Sequence, residues 1–271
     1  MKVLAVGDII GKPGRRALKE FISSCEERFD LILVNAENSA GGFGITQKVY
    51  EELISYGVDV LTSGNHIWDK KEIYTFIDQA DRLLVPANYP PGVPGRGYLV
   101  LEKKGYKVAV INLMGRSFLD SNLENPFLVF DRIYEEVSKL TPIIIIDFHA
   151  ETTSEKWAFG IYADGRASFV YGTHTHVPTA DHTILKKGTA YVSDVGMSGC
   201  WYSVIGMKPQ QVIERFTRGL PQKYEVEEKE DLVFNAVSVE IDPQTGRALS
   251  IERVQRYYKF STQTQGSDVN P

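Results

Sequence analysis

Met1-Lys2-Val3-Leu4-Ala5-Val6-Gly7-Asp8 opens the chain as an apolar run of strand length that stops at a glycine and a carboxylate. Residues 2–6 read as a buried strand ending at Asp8. Gly11-Lys12-Pro13-Gly14 reads as a turn, with a helix from Pro13-Gly14 to about Arg28. The pattern then repeats. Residues 31–34 are a second buried strand, ending in Asn35-Ala36-Glu37-Asn38, and a glycine-rich loop, Ala40-Gly41-Gly42-Phe43-Gly44, precedes a helix over 46–56. Residues 58–62 are a third strand, ending in Ser63-Gly64-Asn65-His66. Asp69 with Glu72 reads as a capping box opening a helix to about Gln79. Three strand-then-helix units in succession indicate a parallel, doubly wound α/β sheet. Ligands gather at the carboxyl ends of such strands, and Asp8, Glu37, Asn38, Asn65 and His66 all fall there.

Outward from this half, residues 98–102 and 107–113 form a hairpin around Lys103-Lys104-Gly105, and 127–140 an amphipathic helix. Residues 143–146 are a buried strand ending in Asp147-Phe148-His149-Ala150-Glu151, and Thr152 with Glu155 caps the next helix. Residues 167–171 lead to Gly172-Thr173-His174-Thr175-His176. Residues 183–185 pair with 190–193, a helix covers 209–220, and 232–241 closes with 248–256 around Pro243-Gln244-Thr245-Gly246. No repeat or linker interrupts the chain. A single domain over 1–260 is expected, with a polar, disordered tail over 261–271.

Composition narrows the class. The chain has 271 residues, 43% hydrophobic and 24% charged, as in an ordinary soluble globular protein. A net charge of −5 argues against an extended nucleic-acid surface but allows a small nucleotide. Cys25 and Cys200 form no C-x-x-C pair. The N-terminal apolar run is too short for a signal peptide, and no run is long enough to span a membrane. The expectation is a cytoplasmic protein without a membrane partner.

The chain has only five histidines. Four of them (His66, His149, His174, His176) directly follow strand-like runs. In an extended segment His174 and His176 point to one side, because side-chain direction repeats every second residue. Asp8 and Glu37 are hard oxygen donors, Asn65 a neutral one, and the imidazoles borderline. That mixture suits Mn, Fe, Zn or Co better than Mg or Ca. Six or seven ligands are too many for one tetrahedral ion and suit two ions about 3.5–4 Å apart.

The ordered series Gly7-Asp8, Asn35-Ala36-Glu37-Asn38, Gly64-Asn65-His66, Phe148-His149-Ala150-Glu151 and Gly172-Thr173-His174-Thr175-His176 resembles the calcineurin-like metallophosphoesterases, in the forms of the YmdB-like bacterial subfamily. The resemblance implies a four-layer α-β-β-α sandwich of two mixed sheets flanked by helices. It implies a dinuclear centre of transition metals, Fe or Mn before Zn or Co, and phosphodiesterase action on 2′,3′-cyclic nucleotides. Asp8, Glu37, Asn38 and His176 would hold one ion. Glu37 would bridge to a second, held also by Asn65, His149 and His174. A metal-held hydroxide would attack phosphorus, with His66 as general acid. Two departures from the broad family stand out: Asp8-Ile9-Ile10 replaces Asp-x-His, and Glu37 replaces the usual bridging Asp. Asn38 could supply the oxygen that replaces the lost imidazole.

Two rival functions use the same residues: a phosphomonoesterase with the same metals, and a regulatory protein whose catalysis is secondary. An amidohydrolase-type centre would place its His-x-His near the first strand, where this chain has Asp8. Glu151, Asp147, Asp181 and Asp194 are candidates to orient the imidazoles. Arg15, Arg116 and His182 are candidate phosphate or base contacts. Phe43, Tyr89 and Trp201 are candidates to stack a base. Aromatics around Tyr89, Phe118 and Trp201-Tyr202 suit a homo-oligomeric interface.

Overall fold

In the computed structural model, which describes residues 1–119 and 122–259, two sheets pack face to face beneath helices. In chain order the elements are β1 (Lys2–Asp8), α1 (Gly11–Ser24), β2 (Leu31–Asn35), α2 (Gln47–Ser55), β3 (Val60–Thr62) and α3 (Ile73–Phe76). Then come β4 (Tyr98–Lys103), β5 (Tyr106–Met114), α4 (Pro126–Val137), β6 (Ile144–His149), α5 (Thr153–Ala163) and β7 (Phe169–Thr173). The chain continues with β8 (Thr183–Ile184), β9 (Ala190–Val192), β10 (Gly199–Cys200), α6 (Pro209–Arg218), β11 (Asp231–Ile241) and β12 (Ala248–Lys259).

In the first sheet β1, β2 and β3 are parallel. The long β11 runs antiparallel to β1 and β10 and pairs along its length with β12. In the second, β5, β6, β7 and β9 are parallel, with β4 and β8 antiparallel at the edges. The three βα units give the parallel part of the first sheet, as expected, and the architecture is the two mixed sheets that the resemblance implied. The third βα unit ends the first sheet, and the 98–113 hairpin starts a new one.

The period of two along each strand sorts its residues into layers. Val3, Ala5, Leu31 and Leu33 meet Val110, Ile145, Phe169 and Tyr171 between the sheets. Their neighbours Leu4, Val6 and Val34 turn outward onto Ala17, Leu18 and Phe21 of α1 and Leu53 of α2. On the far side Ile144, Ile146 and Val170 pack on Phe130 and Ile133 of α4 and Phe159 of α5. Both faces of these strands are dry, which is why they read as continuous apolar runs. Layering of this kind is the α-β-β-α sandwich.

Local readings need four corrections. Gly11-Lys12-Pro13-Gly14 is the first turn of α1, where proline's missing N–H costs nothing, and the helix stops at Ser24 because Cys25 is extended. No capping box forms at Asp69 and Glu72. Asp69 is held by His66 and Glu72 accepts the Gln47 N–H, so only a short α3 follows. Thr152 makes no side-chain capping bond, and Glu155 instead accepts the N–H groups of Arg116 and Ser117. Strand β7 ends at Thr173, so His174 and His176 are not on an extended segment. The expected tail over 261–271 lies outside the described residues. Among those described, Cys25 and Cys200 are free, and no helix is long and apolar enough to cross a membrane.

Candidate metal centre and cleft

Parallel strands deliver their carboxyl ends to one place. Asp8 closes β1, Glu37 and Asn38 follow β2, Asn65 and His66 follow β3, His149 closes β6, and His174 and His176 follow β7. His149, fully buried, is the hub. Its Nε2 lies 3.0 Å from Asn65 Oδ1, 3.1 Å from Glu37 Oε1 and 3.1 Å from His174 Nδ1. Ligand atoms of Glu37, His149 and His174 all lie within 4.8 Å of one another. Beside them Asp8 Oδ1 sits 4.0 Å from His149 Nδ1 and 3.9 Å from His176 Nε2.

Three buried oxygens here accept no hydrogen bond: Asp8 Oδ1, Asn38 Oδ1 and Glu37 Oε1, whose contact with His149 is not aligned as one. Buried acceptors without partners are costly and rare. Two of them, Asp8 Oδ1 and Glu37 Oε1, face imidazoles, and with Asn38 in the same cleft lining as Glu37 they form a donor set that fits cations. Close packing here also explains a motif residue. A Cβ on Gly64 would fall 2.2 Å from the His149 ring, so the position before Asn65-His66 takes only glycine without displacing a ligand.

Each imidazole is steered by the nitrogen that faces away from the cluster. Thr173 Oγ1 donates to Asp147 Oδ1 at 2.7 Å and so accepts from His149 Nδ1 at 2.8 Å. Asp147 is fixed in turn by Thr62 and by Asn35 Nδ2. His174 Nε2 faces Glu151 Oε2 at 3.0 Å, and His176 Nδ1 faces the Ile205 carbonyl at 3.0 Å. These outer partners suit the tautomer with the proton on the outer nitrogen, which would leave the inner one to present a lone pair to a bound ion. Asn35 Oδ1 also accepts the Glu37 N–H, linking the bridge candidate to Asp147. His66 is arranged differently. Its N–H donates to Glu37 Oε2 at 2.9 Å, its Nδ1 meets Asp69 Oδ2 at 2.9 Å, and its ring edge rests against Phe43.

The loop that carries the paired imidazoles is strained. His174 and His176 take φ of 96° and 65°, in a region that non-glycine residues seldom occupy. Lys156 of α5, 2% exposed, anchors it from below. Its Nζ donates to the Thr173 carbonyl at 2.8 Å and to Asp194 Oδ2 at 2.6 Å. Asp194 in turn accepts from the Thr175 N–H and Oγ1 and from the Gly196 N–H. Thus the two imidazoles are aimed by a held turn, not by strand alternation.

Charge in the cluster is finely balanced. Burial pushes the Asp8 carboxyl up, against His176 and His149. Burial would raise Glu37 too, but the facing His149 outweighs it and holds Glu37 down; Glu37 likewise holds His149 up against the pull of burial. Burial and the neighbouring His149 push His174 down to about 3, which leaves it neutral with a free lone pair. Asp147 is pushed up to about 6 by burial, opposed by His149 and its hydroxyl and amide donors.

The cluster opens on a cleft of about 540 Å³ lined by Glu37, Asn38, His66, Glu151, His174 and His176 on its polar part, with Phe43 among its apolar residues. Glu151, Asp147 and Asp194 thus act on the imidazoles directly or through one residue. Asp181 is bound instead to Ser193 and Thr179. Arg15 is held by Glu52 and the Ser39 carbonyl, outside the cleft lining. Arg116, His182, Tyr89 and Trp201 do not line the cleft either. Sequence reasoning missed Lys156 and the pairing of Asp69 with His66. The first had a signal: Lys156 shares the buried face of α5 with Phe159, Gly160 and Ala163.

Comparison with known proteins shows the family and the fold. The chain is 48% identical over 256 residues to the Bacillus subtilis (strain 168) 2′,3′-cyclic-nucleotide 2′-phosphodiesterase, covering 94% of this chain and 96% of that one. A phosphatase from Mycoplasma pneumoniae superposes with a TM-score of 0.89 at 37% identity, over 96% of this chain and 94% of that one. A hypothetical protein from Thermus thermophilus superposes with a TM-score of 0.89 at 40% identity, over 95% of this chain and 99% of that one. The profile of YmdB-like proteins matches residues 4–254, and the chain belongs to that family.

Proposed function

We propose that the chain is a metal-dependent phosphodiesterase that opens 2′,3′-cyclic nucleotides at the 2′ ester and releases a 3′-nucleotide. The observation that carries this is the convergence of Glu37 Oε1, Asn65 Oδ1 and His174 Nδ1 on His149 Nε2, beside the unpartnered oxygens of Asp8 and Asn38. The bond broken follows the activity of the Bacillus subtilis relative.

Asp8, Glu37, Asn38 and His176 would hold one transition-metal ion, and Glu37, Asn65, His149 and His174 a second, with Fe or Mn preferred. Bound there, such ions neutralise phosphate charge and lower the pKa of a water. The chain's own residues do the rest. His149, His174 and His176 keep their protons on the outer nitrogens, so no proton competes for the phosphate side. His66 stands at the cleft edge with Nδ1 on Asp69, which leaves Nε2 to donate a proton to the departing 2′ oxygen. Two unpaired thiols suit a cytoplasmic setting, and exposed Phe118, Trp201 and Tyr202 suit self-association of a single 1–260 domain.

The test is His66→Ala, assayed on 2′,3′-cyclic AMP with metal content measured alongside. Metal should stay bound while kcat falls about 10²–10⁴-fold, the typical contribution of a general acid. Turnover near wild type would remove His66 from its role. Release of free phosphate from a 3′-nucleotide at a comparable rate would favour a phosphomonoesterase.

A further inference from the structure

The ligand cluster accounts for only part of the cleft. Much of the remaining lining is apolar: Phe43, Ile205, Met207, Val212, Phe216 and Tyr224 among it. Phosphate chemistry alone has no use for such a surface. Helix α6 buries only Val212 and leaves Phe216 82% exposed, and Ile205 is 47% exposed. Large apolar side chains exposed beside a polar site mark a place where a ligand completes the burial. This surface is tied to the site at two points. Phe43 stands edge-on to His66, with centroids 5.0 Å apart, and the Ile205 carbonyl holds His176.

The wall offers little to select one base edge over another, since the Tyr224 hydroxyl can both donate and accept. The N–H groups of Val204 and Met207 are bound to each other's carbonyls. The Ile205 carbonyl is occupied by His176, and the Asn38 amide donates to the Gly42 carbonyl. What it offers is aromatic and aliphatic contact.

Resting on the phosphodiesterase reading, we propose that Phe43, Ile205, Phe216 and Tyr224 form the nucleobase site. The base of the cyclic nucleotide is held there by stacking and apolar contact, without hydrogen-bond selection among bases. Purines are favoured by contact area alone.

The experiment compares kcat/KM for 2′,3′-cyclic AMP with that for glycerol 1,2-cyclic phosphate, which carries the same cyclic ester without a base. In Phe216→Ala the ratio of the two should fall about 5- to 150-fold, through KM, the range for loss of one base–aromatic stack. Phe216→Trp should restore it. Cyclic AMP and cyclic GMP, whose edges are opposite in donors and acceptors, should be handled alike. An unchanged ratio in both Phe216→Ala and Tyr224→Ala would overturn the base site. So would a Phe216→Ala variant whose only change is its sedimentation coefficient, since the face would then be a contact between copies. If the unmodified chain hydrolyses neither ester, the phosphodiesterase reading itself fails.

Discussion

Lys156→Met isolates the support of the imidazole loop from the ligands themselves. Methionine keeps the apolar stem on the buried face of α5 and removes only the ammonium. Two hydrogen bonds disappear, at 2.8 Å to the Thr173 carbonyl and 2.6 Å to Asp194. Hydrogen bonds to charged groups contribute about 1.5–3 kcal/mol each, so the pair is worth about 3–6 kcal/mol. Breaking a buried ion pair costs about 3–5 kcal/mol by a separate route of reasoning, and the ranges overlap. The N–H and hydroxyl donors from Thr175 and Gly196 still reach Asp194, which favours the lower end. Denaturant unfolding of the metal-free variant should therefore show about 3 kcal/mol less stability. The strained φ values of His174 and His176, costing about 1–3 kcal/mol each, also lose the anchor that enforces them. Titration calorimetry with Mn(II) should then show about 10- to 100-fold weaker binding, as for other supports of metal ligands. Adding Asp194→Asn removes the stranded charge and should return stability but not metal affinity. Wild-type Mn(II) affinity in both variants would refute the argument and leave Lys156 as a core lysine only.

Gly64→Ala places a methyl where the His149 ring now lies, and overpacking of this kind typically costs about 1–3 kcal/mol. Its metal affinity should drop more than its stability, read by the same calorimetry; unchanged affinity would show that the ring can move freely. Asp181→Asn tests a device away from the ligands. Burial would raise Asp181, but hydrogen bonds from Ser193 and Thr179 outweigh it and hold the carboxyl below its usual range. A depressed carboxylate stabilises the fold above its unfolded pKa of about 3.9 and loses that contribution as pH falls through the folded value. The variant should thus be less stable than wild type at neutral pH by about 1–3 kcal/mol, with the gap closing toward pH 3. An equal gap at both pH values in denaturant melts would contradict the assignment.

Much of the site was readable because of how these sheets are built. A strand dry on both faces is an unbroken apolar run, so its end is conspicuous, and Asp8, Glu37, Asn65, His149 and His174 all stand at or just past such ends. What the sequence hid depends on distant contacts. Asp69 resembles a helix cap until His66 is seen to claim it. The positive φ at His174 and His176 is written in no local motif; it is imposed by Lys156 and Asp194 from other elements. Phe216 and Tyr224 look like ordinary helix and loop aromatics, and only the cleft gives them a common surface. The two mixed sheets came from the family resemblance and not from periodicity, because the switch between them occurs in the irregular stretch between α3 and β4, which carries none.

The error about the His-x-His pair is instructive. What the structure corrects is the conformation, not the expected division of the pair: a held turn, not an extended strand, sends His174 Nδ1 to His149 and His176 Nε2 toward Asp8. Their outer nitrogens end on unrelated acceptors, a Glu151 carboxylate and the Ile205 carbonyl. Each imidazole is therefore fixed independently, and a change at one need not disturb the other. Two features join them. Asp8 accepts the His174 N–H on Oδ2 and faces His176 with Oδ1, and the anchor of Lys156 and Asp194 lies beneath the turn. If two ions occupy the cluster, loss of either imidazole should weaken one ion, whereas loss of Lys156 should weaken both. A substitution that touches no ligand would then have the broader effect on metal binding.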